Sequence, residues 1–219
     1  MGLFGKKKRV TDVFIAENRV PSEREPLLAL GVGLIERDGG TDSSRVLKDP
    51  RGGKGAKYLL PMWGISDYAT LQDVIESLIQ SSRDPKINPD DVEKSVASTL
   101  EIFAKAHDKY PTSTLLVSED QVRACTQFGA VRLEYAAYLV RLASALGYGT
   151  DQQIWDILGV LYAEVQSRFD SWTAYMIAVV RGYACTENTF GFPDVNAVDA
   201  YLRLEGDPAS AYSKFPLGH

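Results

Sequence analysis

The sequence predicts an all-α fold, an irregular multi-helix bundle with a long antiparallel pair of central helices. Ser118 and Thr150 each begin a capping box, and each box precedes a stretch whose apolar residues recur with helical spacing. Gly147 lies between the two stretches as a helix stop, so only a short turn joins them. Because a short turn forces two helices antiparallel, the helix over 118–146 and the helix after Thr150 should form the centre of the core.

The first half of the chain carries signals for shorter helices. Pro26 suits the first turn of a helix that should run to about Gly39, in which Gly31 and Gly33 would allow close helix packing. Residues 40–57 are rich in glycine and charge and are predicted to be a loop. Further helix starts are predicted at Ser66 or Asp67, at Asn88 followed by Pro89, at Asp170 or Ser171, and after Pro193.

Two features leave alternatives open. Thr112–Val117 and Arg9–Ala16 are short β-compatible runs with no hairpin turn beside them, so they allow at most a minor β pair. Near the C-terminus, Tyr212 and Phe215 follow a stretch with little helical pattern. These two aromatic residues would either clamp back onto the bundle or present an apolar contact to a partner.

Composition and charge limit the classes of partner. The 219 residues are 45% hydrophobic, so residues 21–217 can bury the core of a single helical domain. Residues 1–20 are predicted to be a basic leader, whose charges are Lys6, Lys7, Lys8 and Arg9. The net charge is -5, and without those four residues it is about -9, so nucleic acid is not an expected partner. The leader could make a weak electrostatic contact with an anionic membrane surface.

The sequence also predicts a cytoplasmic location. It contains no run of 18 apolar residues, and the order of charged and apolar residues at the N-terminus is the reverse of a signal peptide. Cys125 and Cys185 lie within apolar helical patterns and should be buried thiols without a disulfide.

Several chemistries are excluded by their missing residues. Gly31 and Gly33 follow no predicted strand, so they do not form a dinucleotide fingerprint. Residues 53–55 read Gly-Lys-Gly and lack the Ser or Thr of a phosphate-binding Walker loop. His107 and His219 are the only histidines, which argues against histidine metal sites and catalytic triads. We therefore expect no metal and no cofactor.

Carboxylates and arginines remain as candidate functional groups. Glu36, Asp38 and Asp42 could supply oxygen atoms to a hard cation, although their spacing is not that of a calcium loop. Glu134 and Arg141 are seven residues apart and lie on one face of the predicted central helix. Buried charges of this kind are more often paired structurally than placed in a ligand pocket, and both alternatives stay open.

Arg132 and Arg37 complete the candidate set. Arg132 points to a different helix face from Glu134. Arg37 follows Glu36 at the predicted end of the first helix, beside the long loop. Their position at a helix end makes Glu36 and Arg37 the preferred site residues of the sequence.

Five blocks stand out along the chain: LALGVGLIERDGG (28–40), MWGISDYATLQDVIESL (62–78), YLVRLASALGYGTDQQIWDIL (138–158), DSWTAYMIAVVRG (170–182) and EGDPASAYSKFPL (205–217). In order and spacing they resemble the domain of unknown function 1266 (DUF1266), a bacterial family of mostly helical cytosolic proteins. The resemblance implies a helical fold and supplies no activity.

This sequence departs from the family pattern at polar positions. In the central helix, Val131-Arg132 and Glu134-Tyr135 stand where the family has Trp-Asp and Gly-Arg, whereas Arg141 matches. In the first block Asp38 replaces an Asn and the following His is absent. Near the end of the fourth block, Gly182 matches and Tyr183 replaces an Arg. If these positions form a reactive site in relatives, this chain has altered it.

Two functions remain as hypotheses. The first is a non-catalytic binding module, an adaptor or a toxin-neutralising immunity protein, whose acidic body engages a protein partner that is basic. The alternative is a hydrolase or transferase with a pocket of carboxylates and arginines. Exposed apolar stripes could also pair two copies of the chain.

Overall fold

In a computed structural model of the protein, residues 14–37, 45–48, 52–109, 116–185, 195–206 and 210–217 are described, and most of them are helical. A 3-10 helix spans Ser22–Ala29. The α-helices are α1 (Val32–Arg37), α2 (Gly52–Met62), α3 (Tyr68–Arg83), α4 (Pro89–Lys109), α5 (Glu119–Ala124), α6 (Ala130–Leu146), α7 (Asp151–Gln166), α8 (Trp172–Cys185), α9 (Val195–Glu205) and α10 (Ala211–Lys214).

Helix α6 lies at the centre of the bundle and packs against α1, α2, α3, α7 and α8. Its side chains are buried on every face from Leu133 to Ser144, as expected for a helix that is mostly apolar or small all round. Gly147 ends α6 in the left-handed conformation, and the Thr150–Gln153 capping box begins α7. The predicted all-α fold with its central helix pair is therefore confirmed.

The prediction of one continuous helix over 118–146 is wrong. The Ser118–Gln121 capping box begins only the short α5, and α6 starts at Ala130. Gly129 lies against α3 so closely that a Cβ there would be 1.9 Å from the Ser82 carbonyl oxygen. The chain turns at Phe128 and Gly129, between α5 and α6.

The first predicted helix is also divided. Pro26 lies inside the 3-10 helix instead of opening an α-helix. The chain then turns at Leu30 and Gly31, with Gly31 at a φ of 71°, before α1 begins. The loop predicted over 40–57 is wrong from Gly52 onward, where α2 begins. Residues 38–44 and 49–51 lie outside the described residues.

The other predicted helix starts agree closely with the structure. Asp67 caps α3 through the backbone N–H of Thr70, and Pro89 is the first residue of α4. The Ser171 hydroxyl accepts a hydrogen bond from the N–H of Ala174 in α8. Helix α9 begins at Val195.

The described residues form no β-strand, and Arg19 and Val46 make one isolated β-bridge. In the run 9–16, the described residues 14–16 are helical, which contradicts a strand there. In the run 112–117, residues 112–115 lie outside the described part.

The C-terminal segment folds back on the bundle. Tyr212 is buried between Trp172 and Tyr201, with ring centroids 4.8 and 5.0 Å away. The indole Nε1 of Trp172 donates a hydrogen bond to the Phe215 carbonyl oxygen at 2.9 Å. Of the two roles open for this segment, the structure therefore shows the clamp.

No helix in the described part of the chain is both long and apolar enough to cross a membrane.

Cys125 and Cys185 are free thiols, half-buried and buried respectively. Burial raises the pKa of both thiols.

Candidate functional site

Three buried side chains bind the backbone where the 3-10 helix gives way to α1. Arg141 donates from Nη1 to the Leu28 carbonyl oxygen at 3.1 Å. The Tyr212 hydroxyl donates to the carbonyl oxygen of Ala29 at 2.7 Å. Glu134 accepts from the Gly31 N–H at 3.0 Å through Oε2. We call this set of contacts around Leu28–Gly31 the Gly31 junction.

The junction satisfies backbone groups that the turn leaves without helical partners. Leu28, Ala29 and Leu30 are fully buried, so water cannot reach their carbonyl and amide groups. Gly31 packs directly on α6, where a Cβ atom would be 2.7 Å from the backbone nitrogen of Tyr138. Only glycine combines this approach with a left-handed φ at low cost.

Glu134 is the most deeply buried carboxyl group of the junction, with 3% of its surface exposed. The Tyr175 hydroxyl donates to its Oε2 at 2.9 Å, beside the Gly31 N–H. Burial raises the pKa of Glu134, while the hydrogen bonds from Gly31 and Tyr175 and the charge of Arg141 oppose the rise. Burial and the neighbouring carboxylate likewise raise the pKa of Tyr175.

Arg141 also binds a second chain segment. Its Nη2 donates to the carbonyl oxygen of Val46 at 3.1 Å. The same guanidinium therefore holds the end of the 3-10 helix and the segment around Val46 against α6. Glu134 and Arg141, which the sequence places on one helix face, thus act on neighbouring backbone groups.

The other candidate residues lie elsewhere. Arg132 is half-buried and donates from Nη1 to the Ser81 hydroxyl on α3 at 3.3 Å, away from Glu134. The backbone of Glu36 and Arg37 ends α1, and their side chains lie outside the described part of the structure. Asp38 and Asp42 lie outside the described residues altogether.

Sequence reasoning missed a second buried arginine, Arg181 of α8. Its guanidinium donates to the carbonyl oxygens of Val122 at 2.7 Å and Val92 at 3.0 Å, and also to Cys125. Nε donates to the Ser95 hydroxyl at 3.1 Å. One feature of the sequence could have revealed Arg181: it is the single charged residue of the otherwise apolar stretch 176–181. A charge buried within such a stretch needs several hydrogen-bond partners.

A surface groove lies between α3 and α7. At the start of the two helices, the Tyr68 ring lies beside Gly149. Near their ends, Arg83 forms a bidentate ion pair with Glu164, with Nε–Oε1 and Nη2–Oε2 distances of 3.0 and 2.7 Å. The helices therefore run in the same direction, with about 340 Å³ of space between them. The residues that line this α3–α7 groove are Gln72, Ile75, Glu76, Ile79, Gln80, Arg83, Ile157 and Val160.

The groove is apolar along its length and polar at its rim. Ile75 is buried at its base, Ile79 and Ile157 are half-buried, and Val160 is 58% exposed. The sequence predicts Ile75 and Ile79 on the apolar stripe of the helix after Asp67, and Ile157 on that of the helix after Thr150. The structure leaves Ile79 and Ile157 partly exposed.

The profile of the family described as "Protein of unknown function (DUF1266)" matches residues 59–217 of the chain. The chain belongs to this family. The match to DUF1266 contains α6, α8 and the α3–α7 groove, and it begins after the first of the five sequence blocks. No curated protein and no solved structure matches the chain.

Membership of DUF1266 confirms the resemblance seen in the sequence. The family's description assigns no activity, so the contacts themselves must indicate what this DUF1266 protein does. In the described part of the chain, no cluster of three His, Cys, Asp or Glu side chains could hold a metal ion. The two features that remain are the Gly31 junction and the α3–α7 groove.

Proposed function

We propose that this DUF1266 protein is a non-catalytic protein-binding module of the bacterial cytoplasm, an adaptor or a toxin-neutralising immunity protein. The observation that carries the proposal is the α3–α7 groove, in which Val160 is 58% exposed above Ile75 and Ile157. An exposed aliphatic side chain in a groove with polar side chains at its rim can form the centre of a site that another protein covers.

The polar residues of the groove suit recognition better than catalysis. Gln72, Glu76 and Gln80 occupy one rim along α3, and Arg83 is engaged by Glu164. Such a rim can orient a partner around an apolar centre. We therefore assign the groove to binding.

The contacts of the Gly31 junction bear on the enzymatic alternative. A hydrolase or transferase would need its carboxylate and arginine to face a substrate. Glu134 instead accepts a hydrogen bond from the backbone N–H of Gly31, Arg141 donates to the Leu28 carbonyl oxygen, and both side chains are buried. Their contacts are those of a structural junction, so these two residues give no support to the enzymatic alternative.

An affinity-capture experiment from the native host tests the proposal. Tagged wild-type protein, Val160→Gln and Leu116→Gln serve as baits. Leu116 is the matched control because it is 75% exposed and does not line the groove. We expect a stoichiometric protein partner with wild type and Leu116→Gln, and at least about a tenfold loss with Val160→Gln. Recovery of no stoichiometric partner by any bait would overturn the binding function.

A further inference from the structure

We infer that the α3–α7 groove accepts an amphipathic helix of a partner protein, with basic residues on the partner lying along the rim of the groove. This inference rests on the proposed binding function and specifies the chemistry of the partner. It follows from the shape of the groove, from the recognition modes that its lining allows, and from the charges at its rim.

The length of the groove matches a short helix. Its lining on α3 extends from Gln72 to Arg83, which at 1.5 Å per residue is about 16 Å or three helical turns. Helices α3 and α7 run in the same direction and both pack on α6. The space between them is therefore bounded by two helical ridges, a surface into which the side chains of a third helix can insert.

Other modes of peptide recognition lack what they need at this site. Addition of a strand requires an exposed sheet edge, but both walls of the groove are α-helices. Proline-rich segments bind between aromatic side chains, whereas the lining contains none. Phosphorylated peptides require free arginines, and Arg83 is already paired with Glu164. A helix with apolar side chains at three- and four-residue intervals is the mode that remains.

Three exposed carboxylates lie in or beside the lining of the groove, whose one cationic side chain, Arg83, is paired with Glu164. Glu76 lies in the lining, and Asp73 lies one turn before it on α3. Asp156 precedes Val160 by one turn on α7. All three carboxylates are exposed, and none forms an ion pair with another described residue. Lysine or arginine on the partner helix would therefore find complementary charge beside its apolar face.

The same charges disfavour a second copy of this chain as the occupant. In a twofold symmetric pair, the same surface of each copy faces the other. Asp73, Glu76 and Asp156 of one copy would then face an equally acidic rim, and like charges across an interface are repulsive. A basic helix from a different protein fits the groove better.

Fluorescence anisotropy with designed peptides tests the inference on the full chain. The probe is a labelled peptide of about 18 residues, made of Leu at helical spacing and Lys elsewhere. A second peptide has Glu in place of Lys, and a third has the Leu and Lys order scrambled. We expect the Leu/Lys helix to bind wild type, and Val160→Gln to weaken binding about tenfold. Leu116→Gln, with the same apolar-to-amide change elsewhere, should bind as wild type does.

A charge-reversal pair tests the acidic rim. Glu76→Lys should weaken binding of the Leu/Lys peptide about fivefold. Asp108→Lys on α4 makes the same change in net charge away from the groove and should have less than half that effect. Circular dichroism checks that each variant is folded, which we expect because all the substituted side chains are exposed.

Three results would overturn the inference while leaving the proposed function to the capture experiment. They are equal binding of the Leu/Glu or scrambled peptide, an unchanged affinity in Val160→Gln, and equal effects of Glu76→Lys and Asp108→Lys. The converse result, a groove that binds the Leu/Lys peptide as expected while no bait captures a stoichiometric partner, would contradict the proposed function alone.

Discussion

The pKa of the buried Glu134 carboxyl group is set by two opposing effects. Removal from water disfavours its charged form, whereas the N–H of Gly31 and the hydroxyl of Tyr175 stabilise that form. The first effect is the larger, so the pKa of the carboxyl is raised above its ordinary value of 4.5. The folded protein therefore binds this proton more tightly than the unfolded chain does.

The raised pKa predicts how stability depends on pH at this residue. The contribution of the protonated Glu134 is fully present below about pH 4.5 and is lost as the pH rises through the folded-state pKa. Glu134→Gln cannot ionise. The free energy of unfolding of wild type, measured relative to Glu134→Gln, should therefore fall as the pH rises from the acidic range to neutrality.

Urea denaturation of both proteins across that pH range measures the difference directly. Taking the difference between the two proteins cancels the other titrating groups, including Glu93 and Glu164, whose pKa values are lowered by arginine partners. A difference that is constant or that grows with pH would contradict the assignment for Glu134.

Gly31 carries a prediction of its own. Gly31→Ala should lower the free energy of unfolding by about 3 kcal/mol, because the residue has a positive φ and its Cβ would clash with the backbone of Tyr138. Gly159→Ala in the middle of α7 is the control, since its Cβ meets open space and alanine favours a helix. The control should stabilise the protein by about 1 kcal/mol. Chemical denaturation measures both, and equal effects would be inconsistent with the close approach at Gly31.

For individual residues, the sequence predicted the helix face on which a side chain lies better than it predicted the hydrogen-bond partners of that side chain. The seven-residue spacing correctly put Glu134 and Arg141 on one face of α6. Their partners, Gly31 and Leu28, are more than 100 residues away in the chain. Helical periodicity describes neighbours within an element, so it could not reveal these contacts.

Individual elements are joined by a few buried polar side chains. Arg181 of α8 binds carbonyl oxygens at Val92 in α4 and at Val122 and Cys125 around the end of α5. It also lies over the ring of Phe128, 4.9 Å from the centroid. One guanidinium thus supplies partners for the end of α5 and fixes that short helix to the rest of the bundle.

Replacing the guanidinium group of Arg181 with the ammonium group of a lysine should lower the stability of the protein. Arg181 donates from Nε, Nη1 and Nη2 to separate acceptors, whereas the donors of lysine lie on a single nitrogen. Arg181→Lys should therefore lower the free energy of unfolding by about 3 kcal/mol. Arg123→Lys is the matched control, because Arg123 forms only exposed ion pairs with Glu93 and Glu119. It should be nearly neutral in the same denaturation assay. A loss no greater in Arg181→Lys than in the control would show that Arg181 does not hold α5.

The docking of α10 is a second prediction at the scale of elements. Tyr212→Ala removes a buried ring and the hydrogen bond to Ala29, and should cost about 4 kcal/mol. Tyr58→Ala removes the same side chain from α2, where it is 80% exposed, and should change stability by less than about 0.5 kcal/mol. Thermal or urea unfolding compares the two variants. Similar costs would mean that α10 is not clamped.

Local signals predicted several helix starts, but not the starts of α1, α2 and α6. The capping boxes at Ser118 and Thr150 were correct because their hydrogen bonds are made within four residues of chain. At the break between α5 and α6, Gly129 makes a close contact with Ser82 on another helix. Such a contact leaves no periodic pattern in the sequence.

The whole molecule is organised around α6, because α1, α2, α3, α7 and α8 all pack against it. The sequence predicts a single domain over residues 21–217, and we expect a domain with such a shared central helix to unfold cooperatively. Trp63 contacts Tyr135 of α6, while Trp155 and Trp172 lie on α7 and α8. The three tryptophans therefore report on different sides of the same core.

A single domain should unfold in one step. Tryptophan fluorescence and far-ultraviolet circular dichroism should give coincident urea transitions, because loss of α6 removes a packing partner from five helices at once. Two separated transitions would contradict the single domain.

The α3–α7 groove could not be predicted from the composition and the helical periodicity of the sequence. The stripes on α3 and α7 predicted buried faces, and most of those residues are indeed buried. Val160 is not part of the predicted stripe of α7, and its position beside Ile75 and Ile157 in the groove emerges only from the assembled fold.

Site-specific photo-crosslinking in the native host tests the binding function most directly. A benzophenone amino acid replaces Val160 in one variant and Leu116 in another, both at exposed positions. We expect a cross-link to one protein from position 160 that is absent from position 116. Cross-linking from position 116 alone, or from neither position, would contradict a binding surface in the α3–α7 groove.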